Sequence, residues 1–300
     1  MSSYDQMCSL PYLPKPVMVH HVPHYLANTR QDDKLALIVL DGMSVVQWQQ
    51  IYERLEIYYE FDQEGVFAWL PTITSVSRQA IFCGERPAYY ATSIDNTVKE
   101  AQYWQAFWNS HGVLKQYVDY VKITDQPLSY RPYNTSQPHN KVKGIVVDWI
   151  DQLVHSAIQG SRGLYEEMKL WLETGFFEEM IDTLLAEKYQ IYITADHGNR
   201  ECIGTGKLAE GVLAHTRGER ARIYGSKTLR DQAAARYENG IPWDSAGLPA
   251  NMHVLLSPVA GAFKALGERS ISHGGIALEE VVVPFIKVIE KEGKRKSLYE

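Results

Sequence analysis

The side chains able to hold a divalent cation or attack phosphorus fall into a few short motifs. They are Asp41 in Asp41-Gly42, Thr74 and Arg78 in Thr-Ser-Val-Ser-Arg, Asp151 with His155, Asp196-His197-Gly198, and His273 in Ser-His-Gly-Gly. Carboxylate and imidazole ligands together suit zinc or manganese. The only thiols, Cys8, Cys83 and Cys202, are too few and too scattered for a cysteine metal cage or a disulfide framework. Asp41, Asp151 and Asp196 supply three negative charges against four positive from two divalent ions, so the site would be slightly cationic and suited to an anionic phosphate. Two ions roughly 4 Å apart can stabilise both the attacking and the leaving oxygen of an in-line displacement. A threonine at a helix N-terminus and against a cation would lose its proton readily and attack phosphorus. Arg78, one turn after Thr74 on the same face, is placed to hold a non-bridging phosphate oxygen bidentately. Asp151 and His155, four apart, project from one helix face, with Asp148 a competitor for the same role.

Strand ends must carry these groups. Lys34–Leu40 is a continuous apolar run, as expected for a strand buried on both faces of a parallel sheet, and Asp41-Gly42 ends it. Ser44 can cap a helix through about Leu55, and a helix from about Ser75 to Cys83 is closed by Gly84. Gly144–Asp148 is a strand end leading into helix to about Ile158. Helical sequence spans roughly Ser161–Glu187, bent near Gly175. Strands follow at Gln190–Ala195, ahead of Asp196, and at Glu280–Ile289. Buried strands alternating with helices predict an open, mainly parallel sheet with helices on both faces, and ligands then bind beyond the carboxyl ends of the strands.

Composition narrows the class. The chain has 300 residues, 45% apolar and 22% charged, which excludes disorder and is enough for one large α/β domain. A net charge of −6 advertises no nucleic-acid surface. No apolar run approaches a membrane span, and no signal peptide is visible at the start, so the chain reads as cytoplasmic. Residues 1–33, with four of the thirteen prolines and with His20, His21 and His24, read as a Pro-rich arm or linker before a catalytic domain at 34–300. Arg217–His253 reads as loop.

The order of these motifs (Asp-Gly, Thr-x-x-x-Arg, Asp-x-x-x-His, Ala-Asp-His-Gly-Asn and a late His before Val-Pro-Phe) resembles the alkaline phosphatase superfamily. Within it, TSVSRQAIFCG and ISHGGIALEEVVVPFI resemble the PglZ domain of bacterial phage-defence systems of the phage-growth-limitation and BREX type. The resemblance spans roughly 34–290 and implies an alkaline-phosphatase-like three-layer α/β/α sandwich with two divalent ions, zinc or manganese. Asp41, Thr74, Asp196 and His197 would surround one ion; Asp151, His155 and His273 would hold the other. His215, in Ala-His-Thr, competes with His273 for the last position and otherwise lies on the substrate side. PglZ proteins are longer, and the Pro-rich start resembles the tail of a linker. The roughly sixty residues between Gly84 and Gly144 leave no room for the transferase domain of the related mutases, and Thr74 stands where sulfatases need a modifiable Cys or Ser.

The expectation is a metal-dependent phosphodiesterase, a hydrolase that opens linear or cyclic nucleotide diesters through a phospho-threonine at Thr74. Its partners would be nucleotide or oligonucleotide substrates and other phage-defence proteins, with no membrane. Phosphomonoesterase activity and a non-catalytic, metal-stabilised scaffold in a defence complex are the alternatives.

Overall fold

The architecture comes from a computed structural model that describes residues 4–31, 33–157, 159–208, 216–217, 219–237 and 239–291. Its centre is a six-stranded sheet. Strands β1 (Lys34–Leu40), β2 (Tyr59–Phe67), β3 (Val118–Ile123), β4 (Val142–Val147) and β5 (Tyr189–Thr194) are joined in it by the C-terminal strand Val282–Glu290. The order from one edge is β2, the C-terminal strand, β5, β1, β4, β3. β5, β1, β4 and β3 run parallel, and the C-terminal strand is antiparallel to both of its neighbours. β1 sits between two partners, and its apolar residues Leu35–Leu40 are all fully buried, which accounts for the missing polar alternation.

The helices form the outer layers. Helices Val45–Leu55, Gly160–Leu172 and Phe176–Ala186 pack together, the last against β5; helices Val22–Thr29, Thr74–Cys83 and Glu100–Ser110 pack as a second group, the last against β3. Ser44 caps the first helix by accepting from Val46 N, and Gly84, at φ 72°, ends the helix that Thr74 begins. The bend expected near Gly175 is a break, with Gly175 left-handed at φ 76° between two helices.

Two expectations do not match the fold. Residues 4–31 are not an extended arm. Met18, Val19, Val22 and Leu26 lie fully inside the core, and Phe67 N donates to Val17 O at 2.8 Å. Tyr4 OH accepts from Leu70 N at 3.0 Å, so this segment grips the loop leading to Thr74. Pro11, Pro14 and Pro16 lie between two short helices and Pro23 in the first turn of helix Val22–Thr29, and the apolar residues around them pack. Nor is 217–253 loop. Strands Thr216–Arg217, Ala221–Tyr224, Ile241–Trp243 and His253–Leu256 form a four-stranded sheet, against which helix Lys227–Arg236 packs. The buried Arg230 holds Asp244 through both carboxylate oxygens, at 3.2 and 3.1 Å. A third, three-stranded sheet is built from Arg200–Gly204, Gly261–Ala262 and Arg269–Ser272.

Candidate metal centre and nucleophile

Three parallel strands end at the site. Asp41 follows β1, Asp148 follows β4, and Asp196-His197 follow β5, while Thr74 opens its helix beside them. Thr74 Oγ1 lies 3.0 Å from His197 Nε2 and donates to Asp41 Oδ1 at 3.5 Å. Asp196 Oδ1 accepts from Gly42 N at 3.1 Å and from His197 N at 3.0 Å, which fixes that carboxylate between the β1 and β5 loops. Its other oxygen, Oδ2, is buried and has no hydrogen-bond partner. Burial, and then the charge of Asp41, pushes the Asp196 carboxyl well above the usual range. Two buried carboxylates facing each other need a cation if both are to ionise.

The backbone requires two glycines here. Gly42 has φ +71°, and a Cβ there would meet Asp151 Oδ1 at 3.1 Å. At Gly198 a Cβ would fall 2.0 Å from Glu279 O, so the chain before the last strand crosses directly over the Asp-His-Gly turn.

Asp151, His155 and His273 converge beside the first group. His155 Nε2 is 3.4 Å from both Asp151 Oδ2 and His273 Nε2, and His273 Nε2 is 3.6 Å from Asp151 Oδ1. His273 Nδ1 donates to Thr72 O at 2.9 Å and His197 Nδ1 to Gly198 O at 3.0 Å. Each backbone carbonyl thereby fixes the tautomer and aims the Nε2 lone pair inward, the usual setting of a metal-binding imidazole. The two rings stack, with centroids 4.1 Å apart. Burial, and next the neighbouring His273, pushes His197 down to about 3, so it is neutral at pH 7. Burial raises the Asp151 carboxyl, but the His155 hydrogen bond and the neighbouring imidazoles outweigh it and hold it below the ordinary value. The same hydrogen bond raises His155. Among the described residues, two groups of donor atoms come within 4.8 Å of one another: Asp41, Asp196 and His197, and Asp151, His197 and His273. The donor set and the orphaned Oδ1 of Asp151 and Oδ2 of Asp196 fit divalent cations.

The sequence reading needs one correction among the polar groups. Arg78, expected at a phosphate oxygen, is only 1% exposed. Its Nη1 donates to Asp41 Oδ2 and, at 3.0 Å, to Asp148 Oδ1; its Nε donates to Glu100 Oε1 at 2.8 Å. The helix faces the sheet at this turn, so the guanidinium lies under the site. Asp148, the competing strand-end acid, is turned to Arg78 and to Lys122 Nζ at 2.9 Å. His215 lies outside the described residues.

Sequence reasoning passed over several supporting groups. Asn199 Nδ2 donates to Gly42 O at 2.7 Å and to Gln47 Oε1 at 2.9 Å, tying the β5 loop to the β1 loop. Thr72 Oγ1 donates to Gly275 O at 3.0 Å and accepts from Gly274 N at 2.9 Å, tying His273 to the strand of chain before Thr74. Behind that loop, the fully buried Glu280 accepts from Gly275 N, Ala277 N and Arg220 Nε at 2.9, 3.0 and 2.8 Å. Glu280 reads in the sequence as the first residue of a strand, whereas it lies in the short helix Leu278–Val281, and nothing around Glu100 sets it apart from a surface glutamate; only Asn199, inside Ala-Asp-His-Gly-Asn, carried a signal.

The fold is similar to solved ectonucleotide pyrophosphatase/phosphodiesterases. The murine enzyme 5 matches with TM-score 0.60 and 11% identity over 85% of this chain and 88% of that one. The human enzyme 5 matches with TM-score 0.59 and 10% identity over 86% and 88%. An inactive threonine-to-alanine variant of the murine enzyme, in complex with AMP, matches with TM-score 0.58 and 10% identity over 85% and 87%. At these identities the likeness concerns the fold alone. No curated protein matches the chain. The family model described as the BREX system PglZ alkaline phosphatase-like domain matches residues 19–288, a span that takes in every candidate ligand and the packed N-terminal helix Val22–Thr29. The chain therefore belongs to the PglZ family of alkaline phosphatase-like domains.

Proposed function

We propose that the protein is a metal-dependent phosphodiesterase that uses Thr74 as its nucleophile. The observation that carries this reading is the position of Thr74 Oγ1, at a helix N-terminus, 3.0 Å from His197 and 3.5 Å from Asp41, beside two orphaned carboxylate oxygens. Family and fold support a phosphoesterase-type hydrolase. Asp41, Thr74, Asp196 and His197 would hold one divalent ion, and Asp151, His155 and His273 a second, zinc by the mixture of imidazole and carboxylate donors. Bound there, such ions supply charge stabilisation to phosphate oxygens and favour ionisation of a neighbouring hydroxyl.

The chain's own groups do the rest. The helix N-terminus favours the Thr74 alkoxide. His197, neutral and with Nδ1 committed to Gly198 O, offers Nε2 on the threonine side. The Thr74 oxygen, its proton passed to water, attacks phosphorus as the P–O bond to one alcohol breaks and that alcohol leaves with a proton from water. A second water then cleaves the bond between phosphorus and the Thr74 oxygen, freeing the threonine and a phosphate monoester. A diester is favoured over a monoester because the cations around Asp41 are already engaged: Arg78 with Asp41, Glu100 and Asp148, and Lys122 with Asp148. The murine phosphodiesterase recorded with AMP, inactive as a threonine-to-alanine variant, supports a threonine nucleophile and a nucleotide substrate. The BREX description of the family supports a role in anti-phage defence alongside other defence proteins. No helix among the described residues is long and apolar enough to cross a membrane.

Turnover of bis- and mono-p-nitrophenyl phosphate, with zinc, with manganese and with chelator, tests the reading. Metal-dependent turnover with the diester faster is expected. No turnover of either ester with either metal would leave the scaffold reading in its place.

A further inference from the structure

The buried arginine beneath the site invites a role of its own. Arg78 and Thr74 stand one turn apart on the same helix, and Arg78 reaches three other elements from there and a fourth through Glu100. It meets the end of β1 through Asp41 Oδ2 and the end of β4 through Asp148 Oδ1 at 3.0 Å. It meets helix Glu100–Ser110 through Glu100 Oε1 at 2.8 Å, and β3 at one remove, because Tyr120 OH donates to Glu100 Oε2 at 2.7 Å. Lys122 Nζ, also on β3, holds the second oxygen of Asp148 at 2.9 Å. Arg78 and Glu100 are each 1% exposed, so neither can trade these partners for water.

Such an arrangement does more than neutralise charge. A carboxylate offers two equivalent oxygens and can rotate between them. With Oδ2 of Asp41 committed to Arg78, only Oδ1 faces Thr74 Oγ1, at 3.5 Å, and His197 Nε2, at 3.9 Å. Because the arginine holding Asp41 is rooted on the helix of the nucleophile, that helix cannot slide without moving Asp41. We propose that Arg78 is a positioning residue, which presents one oxygen of Asp41 to the nucleophile, and that Glu100 and Asp148 hold Arg78 in place. The inference rests on the reading of Thr74 and Asp41 above. A lysine at this point would not serve, since a single ammonium lacks the planar fork that meets Asp41 and Glu100 together.

The test uses the zinc-loaded full chain as wild type, Arg78→Lys and Glu100→Gln. It measures kcat and KM for bis-p-nitrophenyl phosphate, and zinc affinity by competition with a chromophoric chelator. Groups that orient a metal ligand typically carry about 10–100-fold in activity or metal affinity. Arg78→Lys is expected to lose about that much in kcat and in zinc affinity, with KM within about twofold. Glu100→Gln is expected to shift both the same way by about 3–10-fold, as does Tyr120→Phe, one bond further out, if Arg78→Lys does not fold. Methylguanidine added to Arg78→Ala should restore part of kcat. A large rise in KM with kcat retained would make Arg78 a substrate contact, and unchanged kcat and zinc affinity with only a lower melting temperature would make it a brace; either overturns the proposal. Should the wild type show no turnover, the phosphoesterase reading falls, and the zinc affinities still decide the positioning role.

Discussion

Replacing Asp196 with Asn should stabilise the chelator-treated protein while removing much of the protection that zinc gives. Asp196 is fully buried, and its Oδ1 accepts from Gly42 N and His197 N at 3.1 and 3.0 Å. The oxygen of an asparagine can keep both bonds, and its amide can donate toward Asp41 where a second carboxylate oxygen now stands. Donor atoms of Asp41 and Asp196 lie within 4.8 Å of each other. At that separation two unit charges repel by about 3.5 kcal/mol at an effective dielectric of 20. Protonation of Asp196, whose carboxyl is pushed up by burial and by Asp41, already relieves part of this in the metal-free protein. The gain on substitution is therefore about 1–3 kcal/mol. With an unfolding entropy near 0.6 kcal/mol/K for a chain of this size, that is about 2–5 °C in melting temperature. Zinc should protect the two proteins unequally. At a hundred times its dissociation constant, each ion adds about 2.7 kcal/mol, or roughly 4 °C, to the wild type. Asp196→Asn should lose that increment for the ion held with Asp41 and keep it for the other. Differential scanning fluorimetry with chelator and across a zinc series reads both effects. An asparagine variant that melts lower than wild type under chelator and gains as much from zinc would refute the picture of two carboxylates held apart for a cation.

Further outcomes follow from other parts of the fold. Burial pushes His20 down to about 2 and His21 to about 4, so both stay neutral in the folded chain while the unfolded chain takes up protons below pH 6.5. Stability is therefore lost as pH falls through that range, by about 1.6 kcal/mol per histidine between pH 6.5 and 5, and His20→Gln should remove one such share in urea titrations at the two pH values. Gly198→Ala places a Cβ 2.0 Å from Glu279 O, where backbone cannot yield. It should lower stability by about 3 kcal/mol in thermal melts and disturb His197 with it. Glu280→Gln leaves the fully buried Arg220 without its charge partner, at about 3–5 kcal/mol, and should reduce turnover through the loop that carries His273.

The strand ends were readable because buried parallel strands leave an unmistakable apolar run, and an acid follows directly after β1 and β4 and one residue further on after β5. Asp41, Thr74, Asp151, His155, Asp196, His197 and His273 could be named from motif order, and the fold brings them together. The direction of Arg78 could not be read. Its position one turn after Thr74 says which face it shares, but its partners Glu100 and Asp148 lie far off in the chain and on other elements. The N-terminal segment misled for a related reason. Its prolines suggested a linker, whereas the apolar residues around them, Met18, Val19, Val22 and Leu26, bury against Phe67 and the helix of Thr74, and that packing depends on tertiary neighbours. The strands of 216–256 are only two to four residues long, too short for period-two patterning to show.

The most direct test of the central claim is turnover of bis-p-nitrophenyl phosphate by Thr74→Ala, with its zinc content matched to wild type. The account predicts wild-type turnover that needs zinc and a variant that keeps most of its metal while kcat falls at least about a thousandfold. Turnover by the alanine variant at the wild-type rate would show that the threonine oxygen is not the group that attacks phosphorus.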